Sequence, residues 1–277
     1  MGAMAAREWN SADTAAVITE PTADDDKYSR GVVGMRTGST AFPGAAVLGV
    51  EAAWRTGVGM VRYLGPARAA DFVLARRPET VTADGRVQAW VIGSGTDAAH
   101  RSALELAALR GILSGAVPVV VDAGALDLAS RASAPVVATP HGREHARLRG
   151  MLGLDPDVDD PSGTAAALEG VVVRKGATTV VAAPGEDAIE ITAPTSWLAT
   201  AGTGDVLAGT VGAVVAGIVG RGTSPHDLGA LQRAAASAVW LHGHAAALAV
   251  AAHDGGPIAA LDVAKHLPYA VAAVLAG

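Results

Sequence analysis

From Lys27 onward, short apolar runs alternate with longer stretches whose apolar residues recur at helical spacing. The runs Gly31–Met35, Met60–Leu64, Ala89–Ile92, Val117–Val121, Val136–Ala138, Val171–Arg174 and Thr178–Ala182 are rich in β-branched residues and too short for helices. They predict buried strands, and Ala188–Ile191, which alternates apolar and polar, predicts a half-exposed one. Helices are expected over Gly44–Arg55, Ala98–Leu113 and Thr164–Glu169, and then over Pro225–Ala252 and Val263–Leu275. Strand and helix taking turns argues for an α/β fold, a mainly parallel central sheet covered by helices on both faces. No linker-like segment interrupts the chain after Lys27, so residues 27–277 read as a single domain. Residues 1–26, which open Met-Gly-Ala-Met and carry the acidic run Asp24-Asp25-Asp26, read as a loosely docked lead-in or a vector remnant, with a short helix near Ser11–Ile18.

The stretch with the most chemical content runs from Ala201 to Gly217. Gly202, Thr203, Gly204 and Asp205 precede an apolar helical pattern through Val206, Leu207, Val211, Val214 and Val215. A glycine turn feeding a buried helix offers unpaired N–H groups and the positive end of the helix dipole, which suits an anion. Asp205 in that place has two readings, a helix cap or a general base beside an anion hole. The glycine spacing does not fit the dinucleotide fingerprint Gly-x-Gly-x-x-Gly, and no Gly-x-x-x-x-Gly-Lys-Ser/Thr loop occurs in the chain.

Composition narrows the classes. Of 277 residues half are hydrophobic and only 4% aromatic, with a formal net charge of −6. An acidic chain without Lys/Arg runs argues against nucleic acid and anionic membranes as partners. Absence of cysteine removes disulfides, thiolate nucleophiles and Cys-based zinc sites. The N-terminus lacks a signal-peptide pattern, and the alanine-rich run Ala234–Ala252, interrupted by His242, Gly243 and His244, reads as a buried soluble helix, so a cytoplasmic location is expected. His242 and His244, two residues apart on a helix, face different sides and make a poor metal pair.

Ala-Gly-Thr-Gly-Asp-Val-Leu-Ala-Gly at 201–209 resembles the anion-hole signature of the ribokinase-like superfamily, and its tail resembles the ADP/ATP-dependent NAD(P)H-hydrate dehydratases. Further segments agree with that family: Lys27–Gly31, Gly38-Ser39, Pro43–Ala46, Arg55-Thr56-Gly57-Val58-Gly59, and the Ser-Trp-x-Ala of 196–199, which is like the actinobacterial form. The resemblance covers essentially all of residues 27–277 and implies a three-layer ribokinase-like fold. It also implies dehydration of the 6-hydroxy hydrates of NADH or NADPH, with ADP or ATP as phosphoryl-donating co-substrate and Mg²⁺ as cofactor. A homo-oligomer is expected, and an NAD(P)HX epimerase is a functional partner. Asp205 would be the catalytic base, with Gly202, Thr203 and Gly204 as the anion hole. Ala45, Gly95, His141 and Asp205 would hold the hydrate, and Lys175, Gly176, Ala177, Thr178, Thr179 and Gly204 the nucleotide.

The chain departs from the family pattern at three places. Gly93-Ser94-Gly95-Thr96-Asp97 stands where Gly-Pro-Gly-Leu-Gly is usual, Gly124 replaces an acidic residue after Asp122, and Arg143 replaces a glycine after His141. Asp122, at the end of a strand, either orders a metal's waters or caps the next turn. Trp197 is expected to pack into the core. Two other classes share the same anion hole or cavity: a kinase for small alcohols such as hydroxyethylthiazole or hydroxymethylpyrimidine, and a non-catalytic nucleotide-binding protein.

Overall fold

A computed structural model describes residues 6–277. One nine-stranded sheet organises the chain. Its strands are β1 (Arg7–Glu8), β2 (Val32–Arg36), β3 (Met60–Tyr63), β4 (Ala89–Ile92), β5 (Val119–Val121), β6 (Val136–Ala138), β7 (Val171–Arg174), β8 (Thr178–Ala182) and β9 (Ile189–Thr192). The spatial order is β1-β9-β8-β7-β6-β5-β4-β2-β3. All pairings are parallel except those of β8, which runs antiparallel to β7 and β9. The mainly parallel three-layer α/β architecture expected from the sequence is the one observed.

Valine-rich strands suit this sheet because both faces are covered. Successive residues point to opposite faces, so Val120 and Val137 enter one core, while Val119, Val121, Val136 and Ala138 enter the other. The first core lies under the helices α1 (Ser11–Ala15), α2 (Gly44–Thr56), α3 (Ala67–Arg76), α7 (Thr203–Gly220), α8 (Leu228–Ala252) and α9 (Ala260–Leu275). The second core is closed by α4 (Ala103–Leu113), α5 (Gly142–Met151) and a 3₁₀ segment over Ala123–Arg131; α6 (Pro161–Leu168) packs beside them on β7 and β8. Helices α7 and α8 are long and apolar enough to cross a membrane by length and composition alone, yet 72% and 67% of their most apolar windows are buried within the fold.

Helix α2 crosses α7 at backbone contact. A Cβ on Gly209 would lie 2.2 Å from the Gly49 carbonyl oxygen, so only glycine permits the approach. That contact brings the start of α2 next to the start of α7. The two ends that the sequence marked as ligand-facing therefore share one rim of the sheet.

Two sequence expectations are revised. The Met1–Ala5 part of the lead-in lies outside the described residues, but residues 6–18 are docked rather than loose. Arg7 and Glu8 pair in parallel with Ile189 and Glu190, and Trp9 is buried with its indole N–H donating to Thr14 Oγ1 at 3.1 Å. An edge strand gains a ladder and a large aromatic gains a core. The helix expected over Ala98–Leu113 is broken: a 3₁₀ turn at Ala98–His100 ends at Arg101, and α4 restarts behind Ser102, whose hydroxyl accepts from the Glu105 N–H.

Candidate active site

Four adjacent strands deliver the site from their carboxyl ends, where open α/β sheets bind ligands. Beyond β5 comes Asp122, beyond β6 Thr139-Pro140-His141, beyond β7 Lys175, and beyond β4 Gly93-Ser94-Gly95. The Lys175 N–H donates to the Pro140 carbonyl at 2.8 Å, extending the β6–β7 pairing by one step and holding His141 beside Lys175.

Asp122 is the buried anchor of the group. Its Oδ1 accepts from Lys175 Nζ at 2.9 Å and from Thr139 Oγ1 at 2.7 Å, and its Oδ2 accepts from Ser94 Oγ at 2.9 Å. Glu144 stands 4.0 Å from the same ammonium. Burial would depress the Lys175 pKa, but the negative charges of Asp122 and Glu144 outweigh it and hold the group above its ordinary value. Lys175 is thus a fixed cation.

That cation faces the mouth of α7. Gly202 caps the helix at φ 89°, a left-handed conformation that favours glycine, and a Cβ there would strike Leu48 at 2.6 Å. A Cβ on Gly204 would lie 3.6 Å from Lys175 Nζ, so the ammonium sits directly over the first turn. Asp205 follows, half-buried. Its carboxyl is pushed up to about 6, first by burial and then by the negative charge of Asp122, with Lys175 pulling the other way. No hydrogen bond enters that balance. The cap reading of Asp205 therefore has no support in its contacts, and what stands at the helix mouth is a carboxylate without a hydrogen-bond partner among the described residues, poised near pH 6 beside free N–H groups and an ammonium.

On the other side, Ala45 opens α2 and is buried. Gly95, at φ +66°, packs against it so closely that a Cβ would lie 2.3 Å from the Ala45 methyl. His141 caps α5: its Nδ1 accepts from the Glu144 N–H at 3.3 Å, while Glu144 accepts from the His141 N–H at 2.8 Å. Its ring remains about half exposed, with Nε2 3.5 Å from the Glu144 carboxylate. Arg143 occupies a helical position inside this cap, so the capping pair does not need the glycine usual there.

A cavity of about 480 Å³ opens next to the helix mouth, lined by His141, Lys175, Gly176, Ala177, Thr179, Thr203 and Gly204 together with apolar residues of β9 and α8. Of the residues expected to hold a nucleotide, Thr178 alone does not line it, because its hydroxyl pairs with Thr192 at 3.2 Å on the adjoining strand. Alternation along β8 explains this, since Thr178 and Thr179 face opposite ways. Trp197 is 47% exposed, which overturns its placement in the core. The short 3₁₀ turn Ser196–Leu198 carries the ring outward.

The departures in the glycine loop are mutually consistent. A Cβ on Gly124 would fall 2.2 Å from the Thr96 carbonyl oxygen, so an acidic side chain there does not fit beside this loop. Ser94 supplies Asp122 with a donor that proline lacks. Reasoning from sequence missed this role of Ser94, the Thr139 hydroxyl and the lining position of His242. The only signal was position, since the hydroxyls stand at strand ends next to residues already marked.

The architecture agrees with comparisons to known proteins. The family model for NAD(P)H-hydrate dehydratase matches residues 33–268. The chain is 44% identical over 222 residues to the bifunctional NAD(P)H-hydrate repair enzyme Nnr of Mycobacterium tuberculosis, covering 75% of this chain and 46% of that protein. It is 32% identical over 245 residues to the ADP-dependent (S)-NAD(P)H-hydrate dehydratase of Neisseria meningitidis, covering 80% of this chain and 78% of that one. The crystal structure of the ADP/ATP-dependent NAD(P)H-hydrate dehydratase of Bacillus subtilis, co-crystallised with ATP/Mg²⁺, superposes with a TM-score of 0.81 at 26% identity over 98% of this chain and 100% of that one. The chain spans about half the length of the mycobacterial relative. With its fold, its glycine-flanked aspartate and a family match across most of its length, the chain belongs to the NAD(P)H-hydrate dehydratase family.

Proposed function

We propose that this chain dehydrates the 6-hydroxy hydrates of NADH and NADPH back to the reduced dinucleotides, consuming ADP or ATP. The observation that carries the reading is Asp205, a carboxylate with no hydrogen-bond partner among the described residues, held near pH 6 at the glycine mouth of α7 close to the Lys175 ammonium. A general base works best with a pKa near the working pH. Asp205 removes the proton of the hydrate's hydroxyl as that oxygen bonds to the terminal phosphorus of the donor. The phosphorus–oxygen bond to AMP (or ADP) breaks, and the N–H groups of Gly202 to Gly204 with Lys175 stabilise the moving charge. The carbon–oxygen bond then breaks with phosphate taking the electron pair, the ring nitrogen supplies its lone pair, and loss of a proton from the adjacent carbon restores the double bond.

Ala45, Gly95 and His141 would hold the hydrate, and Lys175, Gly176, Ala177, Thr179 and Gly204 the donor. For Mg²⁺ the donor set is a partial one, since no group of three or more His, Cys, Asp or Glu surrounds a common point among the described residues. That fits an ion which keeps its waters and is carried by nucleotide phosphates. Asp122 and Glu144, the carboxylates beside Lys175, would hold those waters, and the ion would neutralise phosphate charge. Residues 27–277 act as one catalytic domain, in the cytoplasm and as a homo-oligomer, alongside an epimerase that interconverts the hydrate's stereoisomers.

The test is to mix the protein with prepared NADH hydrate, Mg²⁺ and either ADP or ATP, following dihydronicotinamide absorbance together with free phosphate. Recovery in step with phosphate release is expected, and the better nucleotide names the donor. No recovery from folded protein with either nucleotide would sink the reading and redirect attention to small-alcohol substrates, whose phosphorylated product would accumulate.

A further inference from the structure

The hydrate read for this site is a dinucleotide, so only its reacting end fits among Ala45, Gly95, His141 and Asp205. The other end needs a place of its own. The donor cavity does not offer one, since it is lined from the ends of β7 and β9 and is taken by the phosphoryl donor. On the far side of Gly95 lies another cavity, of about 640 Å³, lined by the loops that follow β2 and β3. One wall is the Gly38–Phe42 loop, and the other is the stretch from Thr96 to Glu105 that leads into α4. It opens beside Gly95, because a Cβ there would lie 3.0 Å from the Phe42 carbonyl oxygen and 3.3 Å from Gly38 Cα. Phe42 is 60% exposed and presents an aromatic ring at this wall, a face on which any base can stack.

The charges lining this cavity are paired off, save one. The Arg101 side chain is 6% exposed and gives its terminal nitrogens to Asp127, at 2.7 and 3.0 Å, and to the Gly124 carbonyl. Glu105 is held by Arg36 at 2.6 Å. Asp97 differs, its side chain being 53% exposed. Its Oδ1 accepts from the Ala99 N–H at 2.9 Å, and its Oδ2 lies 2.9 Å from His100 Nδ1. Ala99 first, and then His100, hold the carboxyl below its usual value, so it is ionised at neutral pH. A carboxylate has about four acceptor positions, so Asp97 has room for further donors. The hydroxyls of Ser39, Thr40 and Ser102 also line the cavity, and being uncharged they serve a sugar or a phosphate alike. With Arg101 spent and His100 turned to Asp97, the described lining offers a sugar diol an acceptor and offers a phosphate monoester a repelling charge.

We propose that this cavity holds the adenosine end of the hydrate, and that Asp97 in its wall makes the chain select NADH hydrate over NADPH hydrate. The inference rests on the dehydratase reading given above. The two substrates differ at one position, the 2′ oxygen of the adenosine ribose. NADH hydrate has hydroxyls there that donate to Asp97, as an acidic residue accepts from the ribose in other dinucleotide sites. NADPH hydrate has a phosphate instead, with up to two negative charges facing a third. For an exposed carboxylate about 5 Å from such a group, the repulsion in water amounts to about tenfold in binding and shrinks with salt. Glycine, usual in the family at this place, supplies neither the acceptor nor the charge.

The test is kcat/KM for the two hydrates, measured at low and at high salt. The wild-type protein favours NADH hydrate about tenfold at low salt, and the preference falls as salt is raised. Asp97→Asn brings the ratio to within about threefold, chiefly by lowering KM for NADPH hydrate. Phe42→Ala raises KM for both hydrates while KM for the phosphoryl donor stays put. Arg147→Met, in the wall of a separate cavity against α5, leaves both hydrate KM values unchanged. Equal kcat/KM for the two hydrates in the wild type would overturn the inference and leave the dehydratase reading standing. So would a ratio unmoved in folded Asp97→Asn, or a rise in KM at Arg147 in place of Phe42. No turnover of either hydrate by folded wild-type protein would overturn both.

Discussion

Replacing Asp205 by asparagine separates stability from catalysis. The carboxyl is held near 6 rather than 3.8. At about 1.4 kcal/mol for each tenfold in an acid constant, its ionised form costs the folded chain at most about 3 kcal/mol at pH 8. Asparagine keeps the shape and removes the charge, though its own half-buried amide retains part of the desolvation cost. Roughly half the gain, about 1.5 kcal/mol or roughly 3 °C in Tm for a chain of this size, is the expected stabilisation. The sign depends on pH. A carboxyl whose folded pKa is raised binds its proton more tightly in the native state, so the wild type gains stability as pH falls from above 6 towards 3.8. The advantage of Asp205→Asn is therefore full at pH 8 and largely gone by pH 4. Calorimetric unfolding of both proteins at pH 8, 6 and 4.5, with turnover of NADH hydrate at pH 8, provides the check. The reasoning fails if Asp205→Asn turns over at a rate comparable to wild type, or if it is less stable than wild type at pH 8 and the gap does not depend on pH.

Wild-type turnover should fall about tenfold for each pH step below about 6, since only ionised Asp205 accepts the hydroxyl proton; a rate flat down to pH 5 would point to a different base. Lys175→Met leaves buried Asp122 without its cation and should cost on the order of 3 kcal/mol in urea unfolding, with much of the loss restored by adding Asp122→Asn. Gly95→Val forces a side chain into the Ala45 methyl at a positive φ, and should raise KM for the hydrate while AMP affinity by calorimetry stays within about twofold. Gly124→Asp, which restores the residue usual in the family, should destabilise by about 1–3 kcal/mol here because the Thr96 carbonyl occupies the space, and melting curves would show it.

Periodicity and turn chemistry were sufficient for a mainly parallel, covered sheet, though the covering helices Ala67–Arg76 and Gly142–Met151 were not read from them. Runs such as Val119–Val121 are apolar throughout because both faces of a parallel sheet are covered, and that pattern is local, so the sequence alone carries it. The glycine turn before Asp205 was legible for the same reason, since a helix start and its free N–H groups are set by adjacent residues. Edges were less legible. Arg7–Glu8 has no strand signature, and it becomes one only because β9 offers an unpaired edge and Trp9 a place to bury.

What the tertiary structure decided is which charges meet. Asp122, Lys175 and Asp205 are far apart in sequence, and neither the fixed charge of Lys175 nor the poise of Asp205 exists until two strand ends and a helix mouth come together. Strand and helix formation is written in neighbouring residues, whereas burial and Coulomb energy depend on distances through space, which only the folded chain fixes.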